Sequence, residues 1–195
     1  CKKINILIST FVPYLLKQWY MFFDQLVESL KLLFLKRKCS RMLHQDLIRP
    51  IGGNSLTTFG LIIDLDKYDA DTLVQNLLSS FELKQQQLNV LGYSKNPRTS
   101  PYACFRLNEN LSWFQGVVQP CVSAFCELQY TYLINFHAHN EPSVSFVSLK
   151  TAALIRIGFQ EDKTAVLIIN QLPENTLLLF KELHNYIQKL TVDND

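Results

Sequence analysis

Five polar side chains lie in or just after apolar, strand-like runs: Asp64, Asp66, Ser94, Asn135 and His137. In open parallel sheets ligands bind beyond the carboxyl ends of the strands, so these are the candidate catalytic residues. Asp64 and Asp66, two apart, have the chemistry to hold Mg²⁺ or to act as acid and base. The same carboxylates can instead cap the following helix. Ser94 and Lys95 can meet an anion, although Ser94-Lys95-Asn96-Pro97 is also ordinary turn chemistry. His137-Ala138-His139 on a strand would aim both rings to one side. Two imidazoles do not specify a metal, and no third His or Cys stands at a diagnostic spacing, so in a loop they read as solvated rings. His44 and His184 fall in helical stretches and read as surface residues.

Absent motifs narrow the chemistry. No Gly-x-Ser-x-Gly elbow is present for a hydrolase nucleophile, and no Gly-x-Gly-x-x-Gly or Walker loop for a nucleotide. With six glycines in 195 residues, a phosphate-cradling loop is hard to build, and Gly52-Gly53 precedes the first strand, the wrong side for phosphate. Five cysteines, an odd number without a Cys-x-x-Cys pair, read as reduced thiols in a reducing compartment. The expectation is no metal and no cofactor.

Elements that can position these groups alternate along the chain. Apolar, β-branched runs predict strands at 57–64, 87–93, 130–136, 154–158 and 164–169. Between them, helices are expected from Asp69 or Asp71 through Phe81, from Gln119-Pro120 through Leu128, and from Glu141-Pro142 to about Ala153. A last helix follows Pro173 and runs through Leu190. Residues 102–116 read only as a short strand or turn. Continuously apolar strands separated by helices predict an α/β fold with an open, mostly parallel sheet of about five strands. The last two strands are too close for a helical crossover, which predicts an antiparallel final pair.

Charge is distributed unevenly. Residues 1–49 carry nine Lys/Arg against three Asp/Glu, a net of +6, leaving −4 for the remainder of a chain of net +2. Apolar residues at 15, 16, 19, 22, 23, 26, 27, 30, 33 and 34 form one helical stripe. Lys31, Lys36, Arg37, Lys38 and Arg41 crowd toward its C-terminal end, where cations suit the helix dipole. This predicts a basic amphipathic helix in front of the domain. Its cations can meet nucleic acid phosphates or an anionic membrane, or its stripe can simply pack on the domain. Lys2-Lys3 and the apolar run after it imitate a signal peptide, but no small-residue cleavage site follows, and charges interrupt any membrane span. The layout is an extension at 1–20 whose place in the working protein is open, the basic helix and linker at 21–50, and the α/β domain at 55–190.

Several core strings are familiar. Leu88-Asn89-Val90-Leu91-Gly92-Tyr93-Ser94, Leu133-Ile134-Asn135-Phe136, the run from Ser148 to Ala153 into Arg156-Ile157-Gly158, and Phe180, Glu182-Leu183 and Tyr186-Ile187 resemble a family of short Bacteroidota proteins known only as a domain of unknown function. The likeness spans about 21–190, with a front helix that starts at a Met like Met21. It implies a bacterial cytosolic protein and carries no activity. The leading functional expectation is a non-enzymatic interaction or adaptor domain, cytoplasmic or peripheral at a membrane, docking through the basic helix to an anionic surface or a protein partner. The alternative is a small ligand-binding or hydrolytic enzyme built on the five strand-end residues.

Overall fold

The computed structural model describes residues 25–27, 29–43, 57–95, 100–105, 111–112, 116–117, 119–137, 141–159, 162–169 and 175–192. The extension at 1–20, Met21, His44, the breaker at 49–54, Asn96-Pro97 and His139 lie outside the described residues.

The strands are β1 (Phe59–Asp64), β2 (Leu88–Tyr93), β3 (Ala103–Phe105), β4 (Leu111–Ser112), β5 (Gly116–Val117), β6 (Gln129–Phe136), β7 (Ala152–Phe159) and β8 (Leu167–Ile169). The helices are α1 (29–43), α2 (Ala70–Ser80), α3 (Pro120–Glu127), α4 (Pro142–Lys150) and α5 (Thr176–Val192). Six strands form one sheet in the order β3-β2-β1-β6-β7-β8, and β4 and β5 make a small separate hairpin. The sheet has six strands rather than about five because β3 adds a parallel edge to β2 from the stretch that read only as a strand or turn.

Alternating side chains of each strand feed two cores, as a sheet covered on both faces requires. Leu61 and Ile63 of β1 point to the side of α2 and α5, with Leu73, Leu77, Phe180 and Leu183. Ile62 points to the other side, with Leu35 and Cys39 of α1, Phe125 of α3 and Val147 of α4. Asp69 starts α2 by accepting hydrogen bonds from the backbone N–H and hydroxyl of Thr72, which satisfies one of the donors a helix leaves open at its first turn. Pro120 and Pro142 stand in the first turns of α3 and α4, where a missing N–H costs nothing.

Two expectations are corrected. The final strand pair is parallel: Ile157, Gly158 and Phe159 pair with Leu167, Ile168 and Ile169. A parallel connection normally needs a long crossover because the chain must retrace a whole strand. Here β8 spans three residues and begins opposite Ile157, so the chain steps back only two residues, about 7 Å. Residues 160–166 suffice, with Val166 N–H already bonded to Arg156 C=O at 2.9 Å.

The basic amphipathic helix set in front of the domain is not recovered as drawn. In its described part, the side that packs is not the expected stripe. Leu35 and Cys39 are buried in the core, and Cys39 Sγ lies 3.7 Å from the carbonyl of Pro142. Leu26, Val27, Leu30, Leu33 and Phe34 are exposed. Periodicity identified an apolar face, but burial was decided by which face the sheet and α4 could reach.

Candidate ligand-binding site

The sheet order reverses between β1 and β6: the chain builds outward through β2 and β3, then returns to build through β7 and β8 on the other side. Loops leaving the two central strands diverge there and open a crevice. A cleft of about 160 Å³ lies at this point. Asp64, Asp66 and Lys67 line it from the end of β1, Tyr93 and Lys95 from β2, His137 from β6, and Glu141 and Val144 from the start of α4.

Asp66 is held from three directions. Its Oδ1 accepts the Ser94 hydroxyl at 2.7 Å, its Oδ2 accepts the Lys95 backbone N–H at 2.7 Å, and its own N–H donates to Asp64 Oδ1 at 3.1 Å. These bonds tie the β1 and β2 loops together and fix the floor of the cleft. The capping alternative for Asp64 and Asp66 is set aside, since Asp69 caps α2. Lys67 Nζ lies 3.9 Å from Asp64, and Lys95 Nζ lies 3.2 Å from Glu141. Each lining ammonium therefore already faces a carboxylate. Tyr93 is buried and hydrogen-bonded to Ser143 and Glu141. Burial first, then the Glu141 charge, drives its phenol well above the ordinary tyrosine range, so it stays a neutral O–H. Burial and then Asp64 raise Tyr68 in the same way.

Behind His137 lies a buried hydrogen-bond network centred on Asp162. Asp162, with its side chain withdrawn from solvent, stands 3.7 Å from His137 Nε2. Its Oδ2 accepts from Asn135 Nδ2 at 2.8 Å. Its Oδ1 accepts from the Thr164 N–H at 2.9 Å and the Thr164 hydroxyl at 2.7 Å. Asn135 Nδ2 also faces Ser148 Oγ at 2.9 Å and Thr164 Oγ1 at 3.0 Å. The network clamps the 162–166 turn against β6 and α4. Arg156, also buried, donates to the carbonyls of Ser148 and Thr151 at the end of α4, where a cation satisfies open helix carbonyls.

Of the five strand-end candidates, Asp64, Asp66 and His137 thus line one cleft. Ser94 is buried behind it as the brace of Asp66, and its hydroxyl is committed to that carboxylate. Asn135 sits a layer deeper, in the Asp162 network. Lys67, Tyr93, Glu141 and Asp162 were not singled out in the sequence. Strand-end position was the available signal for Asp162, since it follows β7 as Asp66 follows β1. No group of three or more His, Cys, Asp or Glu suited to a metal ion occurs among the described residues. The five basic candidates are placed elsewhere, on α1. Lys36, Arg37 and Arg41 are exposed and Lys31 is half-buried, while Lys38 Nζ lies 4.8 Å from the centre of the Phe146 ring, a cation–π distance.

The model of one family, a family of unknown function (DUF6913), matches residues 31–190. No curated protein and no solved structure matches the chain.

Proposed function

The chain belongs to that family of unknown function, and from this premise we propose that it is a small-ligand-binding α/β domain whose site is the strand-end cleft. One observation carries the reading: side chains from three strands and one helix start, far apart in sequence, converge where the sheet order reverses. Size and charge define the ligand. Pockets for drug-sized molecules run to roughly 300–1,000 Å³, and this cleft of about 160 Å³ fits a molecule nearer an amino acid in size. Both lysines already face carboxylates. A purely anionic or cationic ligand would gain one partner and strand another. A small zwitterion replaces both: its carboxylate meets Lys95 and its ammonium meets Glu141 or Asp64.

Proton transfer is a second reading, favoured by His137, which lines the cleft with the buried Asp162 behind it, as a third group orients a catalytic base. Ser94 is not available as a nucleophile in that reading, because its hydroxyl is bonded to Asp66 and has no exposure. An interaction role on an anionic surface belongs to a different part of the molecule, the outer face of α1. The family resemblance further implies a bacterial, cytosolic setting. Among the described residues no helix is long and apolar enough to cross a membrane.

The test is calorimetric titration of the full chain with a panel of α-amino acids, each compared with its carboxylate-only and amine-only analogues. Saturable heat is expected for at least one zwitterion and not for its analogues. That binding should weaken on the order of tenfold in Lys95→Ala, which removes a charged hydrogen bond. Absence of binding by every zwitterion, or affinity indifferent to both Lys95→Ala and Glu141→Gln, refutes the assignment.

A further inference from the structure

The two ion pairs of the cleft are not alike. Lys95 Nζ and Glu141 meet at 3.2 Å, a hydrogen-bonding distance. Lys67 Nζ and Asp64 Oδ2 stand 3.9 Å apart, too far for a hydrogen bond. Asp64 Oδ1 accepts the Asp66 N–H, but Oδ2 accepts no hydrogen bond among the described residues. The Asp64 side chain is only 13% exposed, so this oxygen has given up most of its water without gaining a donor, an arrangement that costs free energy until a partner arrives. The lining is also unbalanced. Asp64, Asp66 and Glu141 stand against Lys67 and Lys95, an excess of one carboxylate. His137 does not remove the excess. When its ring is protonated, the Asp162 carboxylate 3.7 Å behind it offsets the charge. When the ring is neutral, Asp162 adds to the negative side.

Resting on the zwitterion assignment of the cleft and narrowing it, we propose that the ligand is an α-amino acid whose side chain carries a second, cationic nitrogen, and that this nitrogen binds Asp64. In an α-amino acid the ammonium and the carboxylate sit on one carbon, so together they match the Lys95–Glu141 pair, whose charged atoms are themselves 3.2 Å apart. The carboxylate goes to Lys95 and the α-ammonium to Glu141, which leaves Asp64 as the partner of the ligand's side chain. An apolar side chain would shut Asp64 Oδ2 further from water and still supply no donor. A side-chain carboxylate would add to the negative excess. A cationic nitrogen supplies the donor and cancels the excess, and such a charge-assisted hydrogen bond is roughly twice as strong as a neutral one. It displaces Lys67 at little cost, because that ammonium stands 3.9 Å off on a side chain 38% exposed. A metal ion is a poorer fit, since no group of three or more His, Cys, Asp or Glu suited to one occurs among the described residues.

The experiment is calorimetric titration of the full chain with matched pairs that differ only in the terminal nitrogen: 2,4-diaminobutyrate with 2-aminobutyrate, ornithine with norvaline, and lysine with norleucine. At least one diamino acid should bind about tenfold or more tightly than its neutral counterpart, and the ratio should shrink at high salt. Asp64→Asn keeps an acceptor for the Asp66 N–H and should bring that ratio close to one. Glu141→Gln should weaken both members of the pair and leave the ratio in place. Equal or tighter binding of the neutral member in every pair overturns the proposal while the zwitterion assignment stands. So does a preference for the diamino acid that survives Asp64→Asn. Absence of binding by all six overturns the proposal and, carried through the full amino-acid panel, the zwitterion assignment with it.

Discussion

Replacing Asp162 with alanine removes the acceptor at the centre of the buried network and strikes at the short parallel connection between β7 and β8. Three hydrogen bonds are lost: from Asn135 Nδ2 at 2.8 Å, from the Thr164 N–H at 2.9 Å and from the Thr164 hydroxyl at 2.7 Å. Their fates differ. Asn135 Nδ2 has two hydrogens and keeps two acceptors, Ser148 Oγ and Thr164 Oγ1. The Thr164 hydroxyl keeps Ser148 Oγ at 3.3 Å. The Thr164 N–H loses its carboxylate in a buried turn, since Thr164 is 1% exposed. One stranded buried donor costs about 1–3 kcal/mol, and each net hydrogen bond about 1 kcal/mol. The sum is about 3–5 kcal/mol, with a small cavity adding to it.

Urea denaturation followed by circular dichroism measures the effect. With a slope of about 2 kcal/mol per molar urea, the midpoint should fall by roughly 1.5–2.5 M. Asp162→Asn keeps the size and one acceptor oxygen, and it should lose about half as much. Hydrogen exchange should show the β8 amides opening before those of β1 and β6, because the clamp holds the 162–166 turn that leads into β8. An unfolding free energy for Asp162→Ala within about 0.5 kcal/mol of wild type, with β8 protection unchanged, would refute the view that this network fixes the connection.

Gly158→Ala should act on the same turn from the strand side: its Cβ would come within 2.7 Å of Ala165 Cβ and meet the Asp162 carboxylate, and overpacking of this kind costs about 1–3 kcal/mol by the same urea assay. Stability should also fall at alkaline pH. Burial pushes the Cys39 thiol up from 9.0 to about 11 and raises Cys126, while burial and Asp71 push Tyr102 up to about 12. For groups raised in the folded state, the contribution is fully present below the unfolded pKa. It is lost as pH climbs, because the unfolded chain sheds protons the native state retains. Urea midpoints should therefore be level below about pH 9 and decline above it, less steeply in Cys39→Ala; a flat profile would contradict the burial assigned to these groups.

Much of the fold was legible in the sequence because parallel strands buried on both faces carry their own signature. The runs around Leu61-Ile62-Ile63, Leu133-Ile134 and Ile155-Arg156-Ile157 have no solvent face to alternate with, and each became a strand of the sheet. Pro120 and Pro142 marked helix starts because proline suits the first turn. β3 escaped because Ala103–Phe105 is only three residues long and at the sheet edge, where pattern is weakest. The direction of β8 escaped because connection length alone does not say how far the chain must retrace. The strand-end rule picked out Asp64, Asp66 and His137, which share a cleft. It could not separate them from Ser94 and Asn135, whose side chains point into the protein as braces.

The sequence by itself determined that this chain folds as an α/β domain, where most of its strands and helices lie, and which strand ends carry polar groups. These follow from local periodicity and turn chemistry, which act over a few residues. Tertiary structure alone decided the sheet order, and with it the reversal between β1 and β6 that gathers Asp64, Lys95, His137 and Glu141 around one cleft. It alone put Asp162 behind His137 from a distant turn, made β8 parallel, and turned the apolar stripe of α1 outward. Each of these outcomes depends on which surfaces compete for burial once the elements meet, and that competition is between residues far apart in the chain.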